Sequence, residues 1–299
     1  MFKGFSHSVM GASHEKKGIV CQDSSAYEIG EGYAVAVVAD GHGSKKHFRS
    51  NIGSKCAVDA VLEAIKKFYE DPEEFERLLK EDHDRMIRKI EKYVIFLWNN
   101  KVLDHLEKYP VTRKESSKFE YDEFAEIPFE SYYGTTLIAA VAGNDYTFGF
   151  QIGDGSLVAV FEDGETSMIM DYEEANPANI TSSMCNANAY SMFDSFYVDD
   201  KKLLAICVST DGLYTSFGSD FDFLDYHTII AGQLANPDAF MNSLQNNLVK
   251  RSHFGTEDDI SLSCVYNEEL AISNNQIIKD KIAANKKAAA ERRANIMRT

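Results

Sequence analysis

Residues 33–39 form an unbroken apolar run, mostly small or β-branched, which predicts a strand buried on both faces. The run ends in Asp40-Gly41-His42-Gly43. Upstream, Gly11 to Gly18 reads as a polar, glycine-bounded loop, and Ile19-Val20-Cys21 leads into Gln22-Asp23. A Gly30-Glu31-Gly32 turn makes the flanking segments a hairpin whose first strand carries Asp23 and whose second delivers Asp40. From residue 46 the period becomes helical, with Ile52, Cys56, Val58, Val61, Leu62, Ile65 and Phe68 on the repeat. Asp71-Pro72 breaks the chain and caps a long charged helix expected over 73–107. Its Glu76–Lys80 and Glu81–Arg85 pairs suit a solvated face, and Trp98 with its apolar neighbours suits core. Residues 110–130 read as an exposed connection.

Strand patterning then returns at 135–142, 146–152, 156–161 and 165–170, with Asp163-Gly164 as a hairpin turn. Residues 171–200 are irregular and rich in Asn and Ser. A strong apolar strand at 203–209 runs into Thr210-Asp211-Gly212-Leu213, a helix is expected over 237–249, and Asp258-Asp259 precedes a last core strand at 260–266. From residue 274 the chain is alanine-rich, helix-prone and basic, with Lys279, Lys281, Lys286, Lys287, Arg292, Arg293 and Arg298 against Asp280 and Glu291. A solvated helical extension is the expectation there.

Composition narrows the classes. The net charge of −16 over 299 residues argues against a nucleic-acid binder, whose footprint is basic. Five scattered cysteines without CxxC spacing argue against a disulfide scaffold or a zinc site and for a reducing compartment. Met1 to Met10 lacks the pattern of a signal peptide, and no apolar run reaches membrane-spanning length, so a soluble, cytoplasmic protein is expected.

Five strand ends carry acids: Asp23, Asp40, Asp154, Asp211 and the Asp258/Asp259 pair. Carboxylates without soft ligands select magnesium or manganese over zinc. Two such ions roughly 3.5–4 Å apart can activate a water and orient a phosphate for in-line displacement. In order, Cys21-Gln22-Asp23, Val38-Ala39-Asp40-Gly41-His42-Gly43, Gly134-Thr135-Thr136, Ile152-Gly153-Asp154, Ser209-Thr210-Asp211-Gly212-Leu213 and Glu257-Asp258-Asp259 resemble the metal-dependent protein phosphatases of the type 2C family. They span about residues 11 to 266.

The resemblance implies an α+β fold, two packed antiparallel β-sheets flanked by helices. It implies a catalytic domain over 1–267, enlarged at about 66–130, with a basic helical extension at 268–299. It implies hydrolysis of phosphoserine and phosphothreonine by direct attack of a metal-bound hydroxide at a centre of two Mn2+ or Mg2+ ions. Carried over by position, Asp40 bridges both metals, the Gly41 carbonyl binds one, Asp211 and Asp258 hold the first, Asp23 orients water on the second, and Asp154 serves a weaker third ion. His42 falls at the proposed general acid, Gln22 and Asp259 stand behind the ligands, and a cognate kinase is an implied partner.

The sequence also departs from the family. Gly18 stands where many members have a phosphate-gripping arginine, leaving Lys16, Lys17 or His14 as candidates, none of which reproduces a bidentate fork. Asp259 stands where Asn is usual, and the region between Asp154 and Asp211 is short. The competing readings are a phosphatase-fold binding module without turnover, which the missing arginine favours, and a two-metal phosphodiesterase or nuclease, which the acidic surface disfavours. The remaining histidines lack metal-ligand spacing, and Cys21 and Cys207 fit inert buried thiols.

Overall fold

A computed structural model describes residues 1–170 and 181–296; much of the irregular stretch after Met170, and Arg298 in the tail, lie outside the described residues. The first sheet holds β1 (Phe2–Val9), β10 (Ile260–Asn267), β9 (Leu203–Ser209), β6 (Ser156–Phe161) and β7 (Thr166–Met170) in that spatial order. The second holds β2 (Ser24–Ile29), β3 (Tyr33–Ala39), β4 (Leu137–Gly143), β5 (Thr147–Ile152) and β8 (Asp194–Val198). All pairings are antiparallel. This is the α+β double-sheet architecture expected.

Why β3 is apolar throughout is now visible. Ala34, Ala36 and Val38 point between the sheets, onto a layer with Ile138, Ala140, Leu157, Ile206 and Val208. Val35, Val37 and Ala39 point outward, under the long helices that cover the second sheet. A strand covered on both faces has no position for water, so alternation disappears.

The covering helices are α2 (Ser50–Phe68), α3 (Pro72–Glu81) and α4 (His83–Lys108). Trp98 of α4 is fully buried, and its indole N–H donates to the Gly53 carbonyl of α2 at 3.0 Å. The single helix expected over 73–107 is therefore two. Asp82 breaks it and caps α4 by accepting from the Arg85 N–H at 3.0 Å, as Asp71 caps α3. Helical spacing continues across the break, so periodicity alone does not reveal it.

Two other segments gain structure. The polar stretch before Gly18 is helix α1 (Ala12–Lys17), closed by Gly18 in the left-handed region at φ 65°. The 110–130 connection contains α5 (Arg113–Ser116) and α6 (Tyr121–Ala125), then a 3-10 turn Phe129–Tyr133.

On the first sheet lie α7 (Asp211–Tyr214), α8 (Asp220–Ala231) and α9 (Asp238–Arg251), joined by a wide turn Ser252–Thr256 to β10. Then follow α10 (Glu268–Ser273) and α11 (Asn275–Ile296). Ile278 of α11 is buried in the core under α8, with Ile282 packed against it. No described helix is long and apolar enough to cross a membrane.

Neither β8 nor α8 has a counterpart in the sequence reading. Strand β8 is a half-exposed edge of five residues, and α8 carries aromatic and aliphatic residues around much of its circumference, which blurs the helical stripe.

Candidate metal centre

The hairpin pairs Ser24 with Ala39, so Asp23 and Asp40 leave the second sheet side by side at the same end. Neighbouring β4 fixes this exit. Thr136 N–H donates to the Asp40 carbonyl at 2.8 Å, the Asp40 N–H donates to Thr136 Oγ1 at 3.0 Å, and the Thr135 hydroxyl donates to the same Asp40 carbonyl at 2.8 Å. Gly134-Thr135-Thr136 is thus a clamp beneath the acid. From the facing sheet, Thr210 donates to Asp23 Oδ2 at 2.8 Å while accepting from the Ser261 N–H at 2.9 Å. The ends of β2, β3, β9 and β10 are tied into one rim.

Close backbone approach explains two glycines. A Cβ on Gly212 would stand 2.2 Å from the Asp259 carbonyl, and one on Gly41 would stand 2.5 Å from that of Gln22 and 2.8 Å from that of Ser50. The acid loops interlock only because these positions lack side chains.

Electrostatically the acids are a conflict. Burial raises Asp23 well above the ordinary carboxylate range, and Asp259 and Asp211 push it the same way. Asp40 is raised by burial and then by Asp23, Asp211 and Asp258. Asp211 is pushed up to about 6 by burial and by Asp154. Asp258 is also raised, chiefly by burial. Asp154 sits at the rim, accepting from the Thr181 hydroxyl at 2.8 Å. Asp23, Asp40 and Asp211 form no ion pair among the described residues, and Asp211 Oδ1 is buried without a hydrogen-bond partner.

Among the described residues no three His, Cys, Asp or Glu side chains close to coordination spacing. The donor set nonetheless fits hard divalent cations: it is all oxygen, mutually repelling, and keeps a buried carboxylate oxygen free. A cation there would relieve the repulsion among these carboxylates.

Asp259 has a different role from its neighbour. It is 3% exposed and accepts from the Gly11 N–H at 2.6 Å, the Gln22 N–H at 2.6 Å and His14 Nδ1 at 3.0 Å. Asp259 therefore pins α1 and the Asp23 loop together. His14 faces a carboxylate, and Lys16 is drawn to Glu257 at 2.7 Å. Lys17 is exposed and forms no ion pair among the described residues. Gln22 Nε2 donates to Ser50 Oγ at 2.6 Å and to the His42 carbonyl at 3.4 Å, so it braces the loop.

The His42 ring lies tilted by 55° against that of His47 with centroids 5.0 Å apart, the His42 backbone N–H donates to the Gly134 carbonyl at 3.0 Å, and His47 Nδ1 meets the Ser131 carbonyl. Burial, then the charges of His47 and Lys46, hold His42 down at about 4, so the imidazole is neutral at pH 7. Lys46 was not a sequence candidate. It shares the turn closed by His47 N–H to the Ser44 carbonyl, is exposed, and forms no ion pair among the described residues, whereas Lys45 is held by Glu123 at 3.1 Å. Its place one residue before His47 was the available clue.

The sequence profile described as Protein phosphatase 2C matches residues 10–250. The chain belongs to the protein phosphatase 2C family. None of the curated proteins matches it in sequence. Similar solved structures include the serine/threonine phosphatase Stp1 from Staphylococcus aureus, at 13% identity and TM-score 0.56, covering 90% of this chain and 96% of that one. The S. agalactiae serine/threonine phosphatase is similar at 16% identity and TM-score 0.54, covering 89% and 99%. A bacterial serine phosphatase follows at 13% identity and TM-score 0.56, covering 89% and 98%. At these identities the likeness is one of the protein phosphatase 2C fold, over about nine-tenths of this chain.

Proposed function

We propose that this protein phosphatase 2C member is a metal-dependent serine/threonine protein phosphatase, acting on phosphoserine and phosphothreonine in proteins of the cytoplasm. The observation that carries the reading is the gathering of Asp23 and Asp40 from one sheet and Asp211 from the facing one, with a buried Asp211 oxygen without a partner among the described residues. A fold serving only as a binding surface has no physical use for repelling buried acids. We assign Asp23, Asp40, the Gly41 carbonyl, Asp211 and Asp258 to two Mn2+ or Mg2+ ions, and Asp154 to a weaker third. Bound there, the ions supply water activation and charge neutralisation for in-line displacement at phosphorus.

The chain's own groups do the rest. His42, its backbone fixed on the Gly134 carbonyl and its ring packed at a tilt against His47, delivers a proton to the departing serine or threonine oxygen. The imidazole is neutral until a phosphate dianion faces it, and that anion favours the imidazolium. Lys46 and Lys17 supply the cations at the rim in place of the family's arginine, because Lys16 and His14 already face Glu257 and Asp259. The catalytic domain is assigned to 1–267, with a kinase of the same phosphoprotein as counterpart. The basic extension is assigned to 268–299; it is anchored on that domain by Ala271 and Ile278 and is not solvated throughout.

The test is hydrolysis of a phosphothreonine peptide with and without manganese, beside Asp211→Ala. Manganese-dependent turnover lost in the variant is expected. Manganese binding without turnover would instead support the binding module that Gly18 favours.

A further inference from the structure

Outside the acid centre and the basic tail, exposed positive charge gathers on one segment. Residues 108–118 carry Lys108, Arg113, Lys114 and Lys118 against one carboxylate, Glu115, in a chain of net charge −16. Glu115 is neutralised by a bidentate contact with Arg49, at 2.8 and 3.1 Å. The other four cations form no ion pair among the described residues, and all four are exposed.

Three of them edge a cleft of about 650 Å³ that is open to solvent. Its floor is apolar, made by Phe48 and Ile52 at the start of α2 and Tyr109 after α4, and Lys108, Lys114 and Lys118 stand around it. The volume falls in the range of ligand pockets. Arg49 in the cleft wall immediately precedes Ser50, whose carbonyl crowds Gly41 of the acid loop. The Arg49 N–H also donates to the Tyr132 carbonyl at 2.8 Å, beside the Ser131 carbonyl that faces His47. The cleft and the acid centre therefore share the first turn of α2.

We propose that this cleft holds an acidic segment of the phosphoprotein substrate, flanking the phosphorylated residue. An extended peptide lays its apolar side chains on the Phe48–Tyr109 floor and its carboxylates, or a second phosphate, against the three lysines. The assignment rests on the phosphatase reading for the nature of its substrate, and it rests on charge and shape for the cleft.

The experiment compares a phosphothreonine peptide carrying four flanking acids with its glutamine counterpart and with p-nitrophenyl phosphate. Wild type is assayed beside the neutral variant K114A/K118A and the reversed variant K114E/K118E. The expected result is a KM for the acidic peptide raised about threefold in the neutral variant and about tenfold in the reversed one, with the other two substrates unchanged. The wild-type preference also fades at high salt. Equal kinetics on the acidic and glutamine peptides in wild type, or equal losses on p-nitrophenyl phosphate, overturns the proposal.

Fluorescence anisotropy with the labelled acidic peptide separates this from the activity itself. If wild type turns over nothing but binds the peptide, and K114E/K118E binds about tenfold more weakly, the cleft stands and the phosphatase reading falls. Equal binding by both proteins overturns the cleft. So does binding to phosphatidylserine vesicles that is lost in the variant while peptide affinity stays unchanged.

Discussion

Two buried charged regions meet at the first turn of α2 and solve burial in opposite ways. At Arg49, 7% exposed, every direction of the guanidinium finds an acceptor. Nε and Nη2 hold Glu115, Nη1 donates to the Tyr109 carbonyl at 2.7 Å and to the Tyr133 hydroxyl at 3.0 Å, and Nη2 also reaches the Pro110 carbonyl at 3.2 Å. Glu115 is held down at about 2, chiefly by its hydrogen bond to Arg49. At Asp23, Asp40 and Asp211 charges of one sign crowd together, and their carboxyls are driven up. A satisfied network fastens the 109–133 strap to α2. The other leaves a buried Asp211 oxygen without a partner among the described residues. The contrast separates a structural use of buried charge from a functional one.

The comparison breaks most sharply at the acids. Asp40→Ala and Asp211→Ala are each expected to lower manganese-dependent turnover by about 10³-fold, the upper scale for losing one preorganised electrostatic contact. The metal-free variants keep the wild-type Tm or exceed it, because a repelling charge has gone. Manganese raises the Tm of wild type but not of the variants. A metal-free Tm that falls in both variants would mean that these acids are structural after all.

Arg49→Met tests the other side. It leaves Glu115 and two carbonyls facing an apolar side chain, and is expected to cost about 2–3 kcal/mol by urea denaturation. That is the low side for breaking a buried pair, because Glu115 keeps 22% exposure. Wild-type stability in this variant would remove the satisfied node from the comparison.

A third buried charge sharpens it further. Glu91 on α4, 5% exposed, is raised to about 7 by burial, with Asp194 opposing its ionisation and Arg88 favouring it. A raised carboxyl means the folded state keeps its proton longer than the unfolded one, so stability falls as pH rises from about 4.5 through about 7. Glu91→Gln is expected to match wild type at pH 5 and to exceed it at pH 8 by about 1–2 kcal/mol, allowing for screening by nearby water. Parallel pH profiles for the two proteins would contradict that assignment.

The smallest effect belongs to Lys46. Lys46→Ala is expected to raise the KM for p-nitrophenyl phosphate and the inhibition constant of inorganic phosphate about tenfold, or about 1.4 kcal/mol, with kcat little changed. Lys46→Arg should restore both. A loss confined to kcat would assign Lys46 to the His42–His47 turn instead of to the phosphate.

Much of this was legible in the chain alone. Local pattern determined β3, β6 and β9, because a strand covered on both faces must be apolar at every position. It also determined that each key strand ends in an acid, and the ordered motifs carried the family and the double sheet. Tertiary structure decided what depends on approach between distant segments. Asp82 splits one apparent helix, β8 exists only as an edge to β5, and α1 is fixed through Asp259 some 245 positions away. It decided too which cations are already engaged. Lys16 and His14 looked available until Glu257 and Asp259 were brought beside them, while Lys46, beside His47, has no ion pair among the described residues. A sequence states which charges are present; only the fold sets which of them meet, because pairing depends on distances of a few ångströms between residues far apart in the chain.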